Sequence, residues 1–98
     1  MDRPVTLGRK IAERRRAKNL SQKQLAEQIR RHDGSSISPQ YLNDIERDRR
    51  VPPDYLIECF AAILDVDPDY LIFLAGRIPP SMSHLADEHS FQVFRRAQ

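Results

Sequence analysis

Leu20-Ser21-Gln22-Lys23-Gln24-Leu25-Ala26-Glu27-Gln28-Ile29 is followed by a polar stretch and then by Ile37-Ser38-Pro39-Gln40-Tyr41-Leu42-Asn43-Asp44-Ile45-Glu46-Arg47-Asp48-Arg49-Arg50-Val51-Pro52. Both runs open with a helix start signal. Ser21 is an N-cap residue, and Gln24 three positions on completes a Ser-x-x-Gln capping box. Leu20 before the cap and Leu25 at the fourth helical position can form a hydrophobic staple. Leu25, Ala26 and Ile29 recur at helical spacing on a face suited to a core. Ser38 caps the second run, and Pro39 fits its first helical position, where a missing N–H costs nothing. The stretch predicts two short amphipathic helices around a turn.

The outer face of the second helix carries the chemistry. At about 100° per residue, Leu42 and Ile45 point one way, with Ile37 joining them, while Gln40, Asn43, Asp44 and Arg47 point the other. Gln and Asn can pair with adenine and Arg with guanine, so this face offers the groups that read base edges. A merely solvated face would more often carry Glu and Lys. Gln22 and Lys23 sit at the exposed start of the first helix, where the dipole and free backbone N–H groups suit a phosphate. Taken alone, Gln22 would be surface decoration. With Arg47, Arg49 and Arg50 crowding the exit of the second helix, the pair reads as a helix-turn-helix whose second helix enters the DNA major groove.

These residues resemble the Cro/cI-type helix-turn-helix family of phage and bacterial repressors, the XRE family. The likeness runs from about Leu7 to Arg77 and is anchored on Leu20-Ser21-Gln22, Leu25-Ala26, Ile37-Ser38, Leu42, Ile45-Glu46-Arg47, Arg49-Arg50 and Pro52. It implies an all-α, five-helix, lambda-repressor-like DNA-binding domain. It also implies that Gln22 binds a phosphate and braces the recognition helix. Base and nearby backbone contacts would come from Ser38, Gln40, Tyr41, Asn43 and Asp44, and phosphate contacts from Lys23, Arg47, Arg49 and Arg50. Arg15 and Glu46 occupy the places of an ion pair between the first and third helices.

Three positions depart from the family pattern. Arg30 to Ser36 fill the place of a single Gly, so the usual turn of three to four residues does not apply. Arg30 and Arg31 are expected to extend the second helix by a turn, leaving Asp33-Gly34-Ser35-Ser36 as the loop. The insertion either adds phosphate contacts through Arg30, Arg31 and His32 or is an inert polar loop. Arg14 stands where an apolar residue is usual, which predicts a less apolar packing of the first helix. Asp48 replaces the frequent Gly after the recognition helix, and Asp tolerates a left-handed conformation better than most residues.

Length and composition suit one small domain. Ninety-eight residues are enough for one core and too few for two. No apolar run approaches the roughly 18–20 residues of a membrane span, and the N-terminus lacks a signal-peptide pattern. A single cysteine, Cys59, gives no disulfide framework and fits a reducing cytoplasm. The net charge of +2 conceals a division: residues 1–50 carry a net +6 and residues 51–98 a net −4. Positive potential thus gathers on the helix-turn-helix half, where a phosphate backbone would be met.

Outside the central stretch, Leu7 to Lys18 read as the first helix with Leu7 and Ile11 inward. Asp54 to Leu64 read as the fourth, with Ile57, Phe60, Ala61 and Leu64 buried and Val66 anchoring the following turn. Asp67 caps a fifth helix, Pro68 starts it, Leu71 and Leu74 pack it and Gly76 ends it. Residues 1–78 thus form the DNA-binding domain and 79–98 a C-terminal tail. Ser83 can cap a sixth helix there, running to about Ala97, with Leu85, Phe91, Val93 and Phe94 as apolar surface. The tail could pair two subunits, fold back on its own domain or meet another protein.

Catalysis finds no support. His32, His84 and His89 are scattered, and His84 with Glu88 makes too few ligands for a metal. No Gly-rich phosphate loop, activated nucleophile or carboxylate pair is present, so neither cofactor nor metal is expected. The sequence therefore predicts a cytoplasmic, sequence-specific transcriptional regulator of double-stranded DNA, a repressor acting as a homodimer on a near-palindromic operator. The alternative is an antitoxin that neutralises a protein toxin and represses their shared operon.

Overall fold

A computed structural model describes residues 4–77 of the chain. Five helices run in order: α1 Leu7–Ala17, α2 Gln22–Gln28, α3 Pro39–Glu46, α4 Asp54–Leu64 and α5 Pro68–Leu74. No strand occurs among the described residues beyond one isolated bridge, Arg30 with Ser36. The expected sixth helix and tail boundary lie outside the described residues.

Side chains fix where most of these helices begin. Thr6 accepts from the Arg9 N–H, Ser38 from Tyr41 and Asp67 from Asp69. At α2 the capping box is complete, with Ser21 accepting from Gln24 and the Gln24 side chain accepting from the Ser21 N–H. Each cap satisfies donors that the first helical turn would otherwise leave unpaired. Left-handed residues then follow three helix ends: Asn19 after α1, Asp48 after α3 and Asp65 after α4. Asp and Asn carry the lowest penalty for this geometry after glycine.

The core is one cluster drawn from all five helices, with Phe60 of α4 as its largest fully buried side chain. Ile11, Leu25, Leu42, Ile45 and Leu64 meet around it, and Ile29 and Ile37 close it beside the α2–α3 connection. In α5 the inward pair is Leu71 and Ile72, with Leu74 only half-buried. Leu56 and Ile72 join the core beyond the positions that helical spacing had marked.

The connection between α2 and α3 corrects the expected helical extension through Arg30 and Arg31. Helix α2 stops at Gln28, and Ile29 is extended with φ −99 and ψ 113. The cause is burial: another helical turn would carry Ile29 away from Ile37, whereas both are buried and the Ile37 N–H donates to the Ile29 carbonyl over 3.0 Å. Outside that bond the chain closes a small hairpin. Arg31 N–H donates to Ser35 O at 2.7 Å, and Gly34 N–H donates to Arg31 O at 2.9 Å. Gly34 is left-handed at φ 86, so the tip is a four-residue turn, Arg31 to Gly34, whose last residue is a left-handed glycine, a usual way to join two antiparallel segments.

Arg14, expected to make the packing of the first helix less apolar, makes a polar contact instead. Its Nε and Nη2 both donate to the Leu64 carbonyl, at 3.3 and 3.2 Å. The guanidinium thus satisfies a free carbonyl at the negative end of α4. Asp48, left-handed at φ 61, turns its carboxylate onto the start of α1. There it accepts from Thr6 Oγ1 at 2.7 Å and from the Gly8 N–H at 3.0 Å. A Cβ at Gly8 would collide with the Ile45 and Glu46 carbonyls, so only glycine lets α1 approach the end of α3 this closely.

Candidate nucleic-acid interface

Helix α3 is held from one side and open on the other. On the held side, Arg15 of α1 grips Glu46 in a fork: Nε donates to Oε2 at 2.7 Å and Nη2 to Oε1 at 3.1 Å. The third arm of the guanidinium, Nη1, donates to the Leu20 carbonyl at 2.8 Å. Both side chains are largely buried, 11% and 5% exposed, so the geometry and extra hydrogen bonds must offset a real desolvation cost. Gln22 of α2 completes the cluster, its Nε2 donating to Glu46 Oε1 at 3.0 Å and to Asn43 Oδ1 at 3.3 Å.

This cluster sets the orientation of the amides. A carboxylate can only accept, so the nitrogen of Gln22 must face Glu46. Asn43 then uses its oxygen on Gln22 and keeps its NH2 group for other partners. Gln40 is exposed and its Nε2 donates to Asp44 Oδ1 at 3.2 Å, which by the same logic leaves its oxygen and one N–H free. An oxygen and an N–H are what adenine's N6 and N7 require.

Past α3 the backbone is fixed by its own hydrogen bonds. Asp48 N–H donates to Ile45 O at 3.0 Å and Arg49 N–H to Asp44 O at 2.9 Å, the paired closure that ends many helices at a left-handed residue. Arg47, Arg49 and Arg50 are all exposed along this exit, with Arg49 Nη1 at 3.8 Å from Asp44 Oδ1. Lys23 is exposed in the first turn of α2. Ser38 accepts from the Tyr41 N–H to cap α3 and keeps its hydroxyl proton as a donor.

The α2–α3 hairpin flanks the same helix. The Arg31 guanidinium lies 5.1 Å from the ring centre of Tyr41, a half-buried residue one position from Gln40. Arg30 is exposed and donates from Nη1 to Gly34 O at 3.2 Å. His32 stacks on Tyr55 of α4, with ring centres 3.7 Å apart. Asp33 accepts from the Ser35 hydroxyl at 2.6 Å and from its N–H at 2.9 Å, and these bonds hold its carboxyl below the usual pKa. The sequence reading set His32 beside the duplex with Arg30 and Arg31, and gave Tyr55 no role. Only the packed structure brings residues so far apart in the chain together.

The structure therefore gathers Gln22, Asn43, Glu46 and Arg15 into one network. Gln40, Asp44 and Arg49 form a second, looser chain on the open face. Among the described residues no group of three or more His, Cys, Asp or Glu could hold a metal, and no helix is long and apolar enough to cross a membrane. A helix-turn-helix family model matches residues 11–71, more than half of the chain. No curated protein and no solved structure matches the chain. With a five-helix fold, a braced third helix and this match, the chain belongs to the XRE-type helix-turn-helix family of DNA-binding transcription regulators.

Proposed function

We propose that the chain is a sequence-specific repressor that binds a near-palindromic operator as a homodimer, with α3 as the reading head. One observation carries this reading: Arg15, Gln22 and Glu46 hold the inner side of α3, while Gln40 keeps a free amide edge on the outer side. Gln40 and Asn43 are assigned to base edges, with Ser38, Tyr41 and Asp44 beside them. Lys23, Arg47, Arg49 and Arg50 are assigned to phosphates, as is the N-terminus of helix α2 through Gln22's backbone N–H. Arg30 and Arg31 add backbone contacts from the hairpin. Phosphate contacts set register and most of the affinity, and the amides supply the preference for sequence.

Residues 1–78 form the DNA-binding unit in this reading, and residues 79–98 supply the dimer contact. The antitoxin alternative shares every DNA contact and adds a protein toxin as partner; no feature of the described residues favours it. Selection from random duplexes, followed by footprinting on the gene's own promoter, tests the proposal. An enriched inverted repeat protected at that promoter is the expected result. No enriched motif at low salt would overturn sequence-specific binding.

A further inference from the structure

Ile29 and Ile37 bring the chain back on itself, so the seven residues between them contribute nothing to the buried core. The segment Arg30–Ser36 is nonetheless tied down on two sides. The His32 ring lies 3.7 Å from that of Tyr55, at an interplanar angle of 20°, in the first turn of α4. Arg31 lies over Tyr41, in the first turn of α3. The hairpin thus bridges the starts of two helices and flanks the face that carries Gln40 and Asp44. Arg30 and Arg31 are both exposed, and among the described residues neither guanidinium stands within ion-pair distance of a carboxylate.

We propose that the Arg30–Ser36 hairpin is a preset arm for the DNA phosphate backbone, latched by His32 on Tyr55, with His32 a positioning residue that acts through Arg30 and Arg31. The inference rests on the DNA-binding reading and deepens it. Holding two arginines in place before the duplex arrives moves their ordering cost from binding to folding, which raises affinity without a new contact. A flat ring suffices for the latch, because stacking needs no charge on the imidazole.

The test uses the full chain and its selected operator, with affinity measured across a range of salt concentrations. Arg30→Ala is expected to weaken binding and to lower the salt slope by about one for each half-site. His32→Ala should weaken binding about two- to tenfold, the range expected for one aromatic pair. His32→Phe should restore wild-type affinity by keeping the stack. Thermal unfolding of each variant separates these effects from loss of fold. An unchanged affinity and slope for Arg30→Ala would overturn the arm, and a His32→Phe protein as weak as His32→Ala would overturn the latch. If the wild-type protein shows neither operator preference nor salt dependence, the DNA-binding reading itself fails, whatever the hairpin variants do.

Discussion

Glu46 sits where three helices meet, its carboxylate shared between the Arg15 guanidinium and the Gln22 amide. Glu46→Ala would leave a largely buried guanidinium without its counter-charge. Breaking such a pair typically costs roughly 3–5 kcal/mol, much more than replacing both partners by apolar residues. Urea unfolding of Glu46→Ala should show a loss of that order, and Arg15→Met combined with Glu46→Leu a smaller one. A single-variant loss below that of the double variant would contradict the role given to this pair. Asp44 acts in the opposite sense. It is the one carboxylate on the outward face of α3, 3.8 Å from Arg49, and it repels the phosphates that Arg49 attracts. Asp44→Asn should keep an acceptor for Gln40 yet tighten binding to non-operator duplexes severalfold. Competition with random-sequence DNA measures this, and unchanged non-specific affinity would count against it.

Gly8 shows what single elements require of each other. A methyl group there would meet the Ile45 and Glu46 carbonyls and the Asp48 carboxylate, pushing α1 off the end of α3. Gly8→Ala is expected to cost roughly 1–3 kcal/mol through overpacking. In a domain this small each kcal/mol lowers Tm by about 4–8 °C, which a thermal melt resolves. A melt at the wild-type temperature would show that the two elements can separate freely. Caps were legible in the sequence because they are local: Ser21 with Gln24, Ser38 with Pro39 and Asp67 with Pro68 act within one helical turn. The hairpin was misread because Arg30 and Arg31 are good helix formers, while the need to bury Ile29 against Ile37 is tertiary. Arg14 on the Leu64 carbonyl and Asp48 on the start of α1 were missed for the same reason. Their partners lie 50, 42 and 40 residues away in sequence.

Across the whole molecule, charge and core are divided between different parts of the chain. The first fifty residues hold a net +6 and the remainder a net −4. Among the described residues, every buried member of the core cluster lies between Leu7 and Ile72. A chain ended at Pro80 keeps those residues and should still fold, as a thermal melt would show. If residues 79–98 supply the dimer contact, the shortened chain should sediment as a monomer and bind its operator weakly. A truncated protein that remains dimeric would move the interface to the described domain, with α5 the first place to look. Division of labour within the DNA face is the central claim, and one comparison tests it directly. Operator affinity, base preference and salt slope are measured for Gln40→Ala and Arg49→Ala in the full chain. Gln40→Ala should cost roughly 1–3 kcal/mol per half-site and relax preference at one symmetric position. Arg49→Ala should weaken all duplexes alike and flatten the salt slope by about one for each lost contact. A Gln40→Ala protein that weakens every sequence equally would contradict the account, because α3 would then not be the reading head.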